Sequence, residues 1–275
     1  MLLTIAMFTA LVLGFYVGER LWKVGVRLDH QIQTSSTVGV LVAASVVGLV
    51  VLILLLRDPS NTWIPNVIPL YAGEYWSEVA IWCGLFLLGT LTVLITHQAR
   101  RKVFALCLTT LLLGTPLVYL ANQLLPIAGQ IRASRVEGNL VFQTTPYTCA
   151  AASIATIARL TGQAPEITEK EVAELVKTNQ MGTTALAQLH GLETLGFEPK
   201  YERGLTLDDL KQLPSPVLMH VLEPVIGGRI AHAVVLLGVD PAAEAIIIAN
   251  PLSGLQVKPF KELQDYWRGE VIWLT

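Results

Sequence analysis

The sequence contains few charged residues and few cysteines. Lys, Arg, Asp and Glu make up 15% of the 275 residues, against about 25% in an ordinary soluble protein. The 19 basic and 21 acidic residues leave a formal net charge of -2, which provides no electrostatic attraction for nucleic acid. The three cysteines have no paired spacing, which argues against a disulfide scaffold and a cysteine-rich zinc site. Because no His, Cys and Asp residues cluster at ligand spacing, we expect neither a metal ion nor a cofactor.

The charged residues are also unevenly distributed along the chain. Residues 1–130 contain 12 of them, and residues 131–275 contain 28. Hydrophobic residues make up 53% of the sequence, which is more apolar surface than a soluble protein of this length would readily bury. We therefore predict a membrane region at residues 1–130 and a globular domain at residues 139–275.

Four uncharged apolar stretches dominate the first half, at residues 1–17, 38–56, 79–95 and 103–125. Each approaches or exceeds the ~18–20 residues with which a helix crosses a bilayer. Four such stretches separated by polar residues predict an all-α region of four transmembrane helices, in a multi-pass protein of the cell membrane with the lipid bilayer as a partner. Ionisable residues are absent from the middle of each stretch, which disfavours a proton- or ion-relay transporter.

The short loops between these stretches predict an orientation. The middle loop has a single basic residue, Arg57, whereas the first and third loops have three each. Basic loops favour the cytoplasmic side of the membrane. We therefore expect the first and third loops in the cytoplasm and the globular half outside it. The six basic residues are Arg20, Lys23, Arg27, Arg100, Arg101 and Lys102.

The second half has the pattern of an α+β domain with an antiparallel sheet. Apolar residues at helical spacing predict a first helix at residues 149–160, and Thr168 with Glu171 forms a capping box for a second helix, to residue 177. Thr183 or Thr184 can cap a third helix. Strand-like runs follow, and helices before closely joined strands favour α+β over alternating units. The runs are residues 197–201, 216–222, 230–237, 245–249 and 270–274.

Cys149 is the one cysteine of this half, and it lies in the first turn of a predicted helix. The free N–H groups and partial positive charge of a helix N-terminus lower the pKa of a thiol and favour the nucleophilic thiolate. A lone cysteine is also commonly a small buried apolar residue. The nucleophilic interpretation therefore depends on suitable partners elsewhere in the chain.

Three residues are candidates for these partners. Gln143 precedes Cys149 by six residues, a spacing that lets its amide fold back as an oxyanion donor. His232 opens an apolar strand and is a candidate general base, and Asn250 ends the next predicted strand, where its amide oxygen would fix the tautomer of His232. Each has an ordinary alternative, namely a loop contact, a strand histidine paired with its neighbours, and an Asn-Pro turn. His220, one strand earlier, is a weaker candidate for the base.

The order of these pieces resembles the bacteriocin-processing, double-glycine-leader peptidase family of papain-like cysteine peptidases, over about residues 139–275. The resemblance implies a papain-like fold with Cys149, His232, Asn250 and Gln143 as catalytic residues. The chain departs from the family pattern at Asn250, where the family usually has Asp, and beside the cysteine. The matching pieces are Gln143 and Cys149 with five residues between them, residues 232–238 beginning at His232, and residues 250–254 beginning at Asn250.

The resemblance and the apolar first half together predict a function. We expect a membrane-anchored cysteine peptidase that cleaves peptide or protein substrates near the membrane by a Cys–His–Asn mechanism. Two alternatives stay open. One is a non-catalytic peptide-binding module with the same fold, and the other is an acyl or peptidyl transferase, because the same three residues can pass an acyl group to an amine as well as to water.

Overall fold

A computed structural model describes residues 2–25, 64–98 and 102–275. The described residues divide into two compact units. One comprises residues 2–25, 75–98 and 102–124, and the other comprises residues 64–74 and 125–275. The first is helical and is called the helical unit. The second contains the sheet and, after the peptidase family that its sequence resembles, is called the peptidase unit.

The described residues of the N-terminal part of the chain are mostly helical, as predicted. Two stretches, Val67–His97 and Leu106–Gln123, are long and apolar enough to cross a membrane, with mean hydropathies of 2.2 and 1.3. They overlap the predicted spans at 79–95 and 103–125. The span at 1–17 falls in the first helix, and the one at 38–56 lies outside the described residues, so four spans stay a prediction. The helices are α1 (Leu2–Lys23), α2 (Val67–Gln98), α3 (Lys102–Thr109), a π-helical turn (Thr110–Gly114) and α4 (Thr115–Gln123).

Within the helical unit, α1 and α2 approach each other through glycines. A Cβ atom on Gly14 would lie 2.2 Å from the carbonyl oxygen of Phe86, and one on Gly89 would lie 2.6 Å from that of Leu11. The Thr90 hydroxyl donates to the Gly14 carbonyl oxygen at 3.1 Å. Small residues and hydroxyl bonds of this kind are typical of helix contacts in membranes, where apolar side chains gain nothing by leaving lipid.

The peptidase unit consists of helices followed by an antiparallel sheet, which confirms the predicted α+β arrangement. After a 3₁₀ turn (Ala128–Gln130) and a two-stranded ribbon, β1 (Val136–Glu137) and β2 (Leu140–Val141), it has three helices. These are α5 (Cys149–Leu160), α6 (Glu169–Leu175) and α7 (Ala185–Thr194). The rest is β3 (Pro199–Glu202), α8 (Leu207–Leu210), β4 (Val217–Val225), β5 (Gly228–Asp240), β6 (Ala245–Asn250), β7 (Gly254–Pro259), α9 (Phe260–Tyr266) and β8 (Trp267–Leu274).

The main sheet has six strands in the order β3-β8-β4-β5-β6-β7, and every neighbouring pair is antiparallel. One apolar core includes α5, α6 and α7 with residues such as Val235 and Ile272 of the sheet. A second core includes Leu263 of α9 with Met219 and Ile248 of the sheet. The two cores together bury residues 217–219 of β4 and 232–236 of β5, and the buried part of β5 begins with His232.

Local sequence signals account for several helix ends in the peptidase unit. The predicted capping box forms, because the Thr168 hydroxyl accepts from the backbone of Glu171 and the Glu171 carboxylate accepts from that of Thr168. Thr184, one of the two predicted caps, is the N-cap residue that precedes α7. Gly196 follows that helix with a φ of 87°, the left-handed conformation that glycine adopts without strain. Helix α6 ends two residues earlier than predicted, at Leu175.

Candidate active site

Cys149 begins helix α5, as the sequence predicts, and Thr148 precedes it as the N-cap residue. The Thr148 hydroxyl donates to the Thr145 carbonyl oxygen at 3.1 Å, which holds the loop before the helix. The Ser153 hydroxyl donates to the carbonyl oxygen of Ala233 at 3.0 Å. Because Ala233 directly follows His232 on β5, this buried bond fixes the helix of the cysteine against the strand of the histidine.

Cys149 and His232 line the same cavity, which has a volume of about 300 Å³. Small residues form much of its wall, and polar side chains from β4, α7 and β8 complete it. The cavity thus brings together two residues that are 83 positions apart in the sequence. Its lining residues are Cys149, Ala150, Met181, Gly182, Thr183, Ala185, Gln188, His220, Val221, Leu222, Ala231, His232, Ala233, Arg268 and Glu270.

His232 is 5% exposed and is held by Asn250. Its Nε2 lies 2.9 Å from the side-chain oxygen Oδ1 of Asn250, which also accepts from the backbone N–H of Leu252 at 2.9 Å. An amide oxygen accepts hydrogen bonds and cannot donate, so Nε2 carries the imidazole proton. The other ring nitrogen, Nδ1, therefore has a lone pair with which it can accept a proton from a thiol.

The electrostatics of Cys149 differ from the sequence expectation. Burial raises the pKa of the Cys149 thiol above its usual value, although the backbone N–H groups of Ala233, Ala150 and Cys149 act in the opposite direction. Burial also lowers the pKa of His232, against smaller opposing effects of the Asn250 hydrogen bond and the Glu223 charge. The expectation of a lowered thiol pKa at the helix N-terminus is therefore wrong for this structure, because desolvation outweighs the helix end. At neutral pH both directions favour the uncharged forms, a thiol and an imidazole, at the wall of one cavity.

The structure does not place the Gln143 amide at the thiol. Its Nε2 donates to the Thr145 carbonyl oxygen at 2.9 Å, and its Oε1 is buried without a hydrogen-bond partner. Gln143 is absent from the described residues that line the cavity. Its role as an oxyanion donor stays a prediction that requires rotation of the side chain, whereas the backbone N–H groups of Cys149 and Ala150 already lie close to the sulfur.

His220, the weaker candidate for the base, also lines the cavity. Its Nε2 is 2.8 Å from the side-chain oxygen of Gln188, and its Nδ1 is 3.7 Å from Glu270. Glu270 also contacts Arg203 at 3.6 Å and accepts from the Tyr201 hydroxyl at 3.3 Å. Both ring nitrogens of His220 are thus engaged by groups other than Cys149, which favours His232 as the base.

Two residues behind the site were not identified from the sequence. Glu223 of β4 and Tyr266 of α9 are buried and joined by a hydrogen bond of 2.8 Å, and Glu223 also accepts from the Asn250 amide at 3.1 Å. Strand alternation contained a signal for Glu223, because it falls at the same parity as the buried Met219 and Val221. An acidic residue at a core-facing position indicates a polar partner inside the protein.

Within the described parts of the chain, no group of three His, Cys, Asp or Glu residues is arranged to hold a metal ion. The cavity itself is lined by side chains and backbone amides. Among them are the thiol of Cys149, the imidazole of His232 with a lone pair on Nδ1, and N–H groups at a helix N-terminus, which together suit nucleophilic attack on a carbonyl group.

Comparisons with known proteins agree with this chemistry. Residues 137–275 match the sequence profile of the Peptidase C39 family. The transport/processing ATP-binding protein ComA of Streptococcus pneumoniae is 33% identical over 105 residues, which are 37% of this chain and 14% of that protein. This chain thus spans only a small part of the curated relatives that it matches.

Two solved structures are similar to the peptidase unit. The peptidase domain of Streptococcus ComA, a bi-functional ABC transporter involved in a quorum-sensing pathway, is 29% identical, with 50% of this chain and 98% of that chain covered and a TM-score of 0.44. A double glycine motif protease from an AMS/PCAT transporter, in complex with the leader peptide, is 22% identical, with 52% and 92% covered and a TM-score of 0.44.

Proposed function

We propose that this chain, which belongs to the peptidase C39 family, is a membrane-anchored cysteine peptidase whose reaction is carried out by Cys149, His232 and Asn250. The observation that carries the proposal is that Cys149 and His232 line one cavity while Asn250 holds the proton of His232 on Nε2. This arrangement leaves Nδ1 as the proton acceptor for the thiol.

The reaction begins with the neutral pair. His232 Nδ1 removes the thiol proton as the Cys149 sulfur attacks the carbonyl carbon of the scissile peptide bond. The backbone N–H groups of Cys149 and Ala150 stabilise the oxyanion of the tetrahedral intermediate, and Gln143 adds a donor once its amide turns away from Thr145. The imidazolium then protonates the leaving amine, and the C–N bond breaks to give a thioester on Cys149. Attack by water, deprotonated by Nδ1, releases the acid and restores the thiol.

The cavity wall allows a peptide backbone to approach closely. Ala150, Gly182, Ala185, Ala231 and Ala233 contribute to this wall, and none of them has a side chain larger than a methyl group. A Gly-Gly sequence before the cleaved bond fits such a wall. We therefore propose peptides or protein segments that end in two glycines at the cleavage point as the substrate class.

Anchoring to a membrane is supported by the surface of the helical unit. Helical residues such as Phe8, Phe104 and Val118 expose 69%, 67% and 71% of their surface. Apolar surface of this extent is stable in lipid and unfavourable in water. We propose that these helices are embedded in the membrane and, from the basic loops, that the domain at residues 139–275 lies outside the cytoplasm. Reporter fusions after Leu125 test the side, and a cytoplasmic signal there would contradict it.

The test of the peptidase proposal uses the full chain purified in detergent. A synthetic peptide with a Gly-Gly sequence at its centre is incubated with wild type and with Cys149→Ala, and the products are identified by mass spectrometry. Cys83→Ala and Cys107→Ala are the matched controls, since both remove a cysteine from a helix of the helical unit. We expect cleavage after the second glycine by wild type and both controls, and none by Cys149→Ala.

Two other results would change the assignment. Binding of the peptide without cleavage would favour a non-catalytic peptide-binding module. A product joined to an added amine, in preference to the free acid, would favour transfer over hydrolysis. Cleavage that persists in Cys149→Ala would contradict the mechanism.

A further inference from the structure

Glu223 is an acidic side chain in the interior of the peptidase unit that the reaction above does not use. It is 6% exposed. Val221, two residues before it on β4, lies directly opposite His232 on β5. Residues two apart on a strand share a face, as do directly opposite residues of neighbouring strands, so Glu223 shares the face of His232. A carboxylate in this position requires hydrogen-bond donors.

Two donors from different elements meet one oxygen of this carboxylate. Glu223 Oε2 accepts from the side-chain Nδ2 of Asn250 at 3.1 Å and from the Tyr266 hydroxyl at 2.8 Å. Burial, together with the Glu223 charge, raises the pKa of Tyr266, so the phenol keeps its proton and remains a donor. The carboxylate is therefore linked to β6 and α9 at once.

These bonds determine the orientation of the Asn250 amide. With Nδ2 at Glu223, the oxygen Oδ1 faces the backbone N–H of Leu252 and the Nε2 of His232. The reversed amide would place its oxygen against the carboxylate and its NH₂ group against the Leu252 N–H, and both contacts would be repulsive. One orientation is therefore strongly favoured, and it requires the imidazole proton on Nε2.

We propose that Glu223 is a positioning residue of the peptidase reaction, which holds His232 through Asn250 in the tautomer that can accept the thiol proton and places a negative charge behind the imidazolium that forms. The inference rests on the proposed function. Asn250 is uncharged, so the compensating charge comes from one residue further back. No proton moves to Glu223, because the thiol proton passes to Nδ1 and from there to the leaving amine.

Other titratable groups surround this chain of hydrogen bonds. Glu223 is the residue whose charge raises the pKa of His232, although burial has the larger effect and lowers it. The groups on the cavity side are Cys149, His220, Arg268 and Glu270, and those on the other side are Tyr266 and Lys258, whose ammonium nitrogen lies 4.8 Å from the centre of the Tyr266 ring.

The principal test is the pH profile of peptide cleavage by Glu223→Gln. This substitution keeps the size of the side chain and removes its charge. We expect kcat to fall about 10- to 100-fold, as for loss of a hydrogen bond to a charged group, with KM unchanged. The acid limb of the profile should move to lower pH, because the protonated imidazole loses a favourable neighbour. Tyr266→Phe is the matched control, since it removes one hydrogen bond and keeps the charge, and its acid limb should stay in place.

Moving the charge provides a second test. The double variant Glu223→Gln/Asn250→Asp has a carboxylate directly beside the imidazole and should recover most of the activity that Glu223→Gln loses. Asn250→Asp alone would put two carboxylates in contact, which is unfavourable unless one is protonated, and its activity should fall below that of wild type. If Glu223→Gln does not fold, Asn250→Asp alone tests the proposal. Activity above that of wild type in Asn250→Asp would overturn it.

The tautomer itself can be observed without peptidase activity. Nitrogen NMR of the full chain labelled at histidine, with His232→Gln to assign the signal, should show His232 protonated at Nε2 in wild type and Tyr266→Phe, and a mixture in Glu223→Gln. An unchanged tautomer and acid limb in Glu223→Gln, or a double variant no more active than Glu223→Gln, would overturn the proposal. A wild-type chain that cleaves no peptide would overturn the peptidase function instead, and the tautomer result would still decide the role of Glu223.

Discussion

The helical unit and the peptidase unit use apolar residues in opposite ways. In the helical unit, large side chains such as Phe104 face outward, and α1 and α2 meet through Gly14 and Gly89. In the peptidase unit, Leu218 and Met219 are completely buried, and the buried side chains of Glu223 and Asn250 are hydrogen-bonded to each other. The difference follows from the proposed solvent of each unit, because lipid accepts apolar surface and water does not. Apolar residues are therefore expected to stabilise the fold of the peptidase unit by burial and to contact lipid in the helical unit.

The largest expected effect separates the site from the rest of the peptidase unit. His232→Ala removes the proposed general base and should lower the rate of peptide cleavage by about 10³- to 10⁴-fold. His190→Ala is the matched control, since His190 lies on α7 with its side chain exposed, and it should leave the rate unchanged. Comparable losses in the two variants, measured by kcat/KM on the same peptide, would mean that the imidazole of His232 has no special role.

The next prediction tests the contrast in burial directly. Met219→Ala empties a fully buried position of β4, and it should lower the free energy of unfolding of the peptidase unit by about 2–5 kcal/mol. Leu112→Ala, at a position of the helical unit that is 62% exposed, should change that free energy by less than about 0.5 kcal/mol. Denaturant unfolding in detergent, followed by tryptophan fluorescence, measures both. Equal losses of unfolding free energy in the two variants would contradict the assignment of Met219 to a buried core and of Leu112 to an exposed surface.

A smaller effect concerns pH and the buried imidazole. Because burial lowers the pKa of His232 below its usual 6.5, the unfolded chain binds a proton at this residue at a higher pH than the folded chain. Stability should therefore fall as the pH decreases from 6.5 towards the folded pKa. Thermal unfolding should show a shallower fall in His232→Gln, whose side chain does not titrate. The opposite sign would mean that the imidazole is charged in the folded protein.

The smallest predicted effect lies at a helix end whose capping residue is not among those that line the cavity. Thr168→Ala removes the hydroxyl that caps α6 and should destabilise the peptidase unit by about 1 kcal/mol. Peptide cleavage at a temperature well below unfolding should be unaffected. A change in kcat in this variant, with the fold intact, would show that the site depends on α6 more closely than the contacts suggest.

Features that depend on neighbouring residues in the sequence were predictable. The start of α5 at Cys149, the cap at Thr168 and the strand that carries His232 all follow from local patterns, and Asn250 lies beside His232 as expected for adjacent antiparallel strands. The strand Gly254–Pro259 was missed, because its apolar residues are exposed at a sheet edge and resemble a loop.

Features that depend on burial were not predictable in the same way. The prediction of a lowered pKa for Cys149 was wrong. The sequence shows that the cysteine begins a helix, but it does not show that folding removes the thiol from water. Glu223 was overlooked because its partners, Asn250 and Tyr266, come from two later elements. The hydrogen bond from the Gln143 amide to the Thr145 carbonyl oxygen was not predicted for a similar reason, because this acceptor becomes apparent only once the loop is folded.

The central claim is that Cys149 is a nucleophile activated by His232, and covalent trapping tests it most directly. A peptide that ends in Gly-Gly and carries a thiol-reactive group in place of the scissile bond is added to the full chain, and the modified residue is mapped by mass spectrometry. We expect a single adduct on Cys149, formed far more slowly in His232→Ala. Adducts mainly on Cys83 or Cys107, or an equal rate of Cys149 labelling in His232→Ala, would contradict the account.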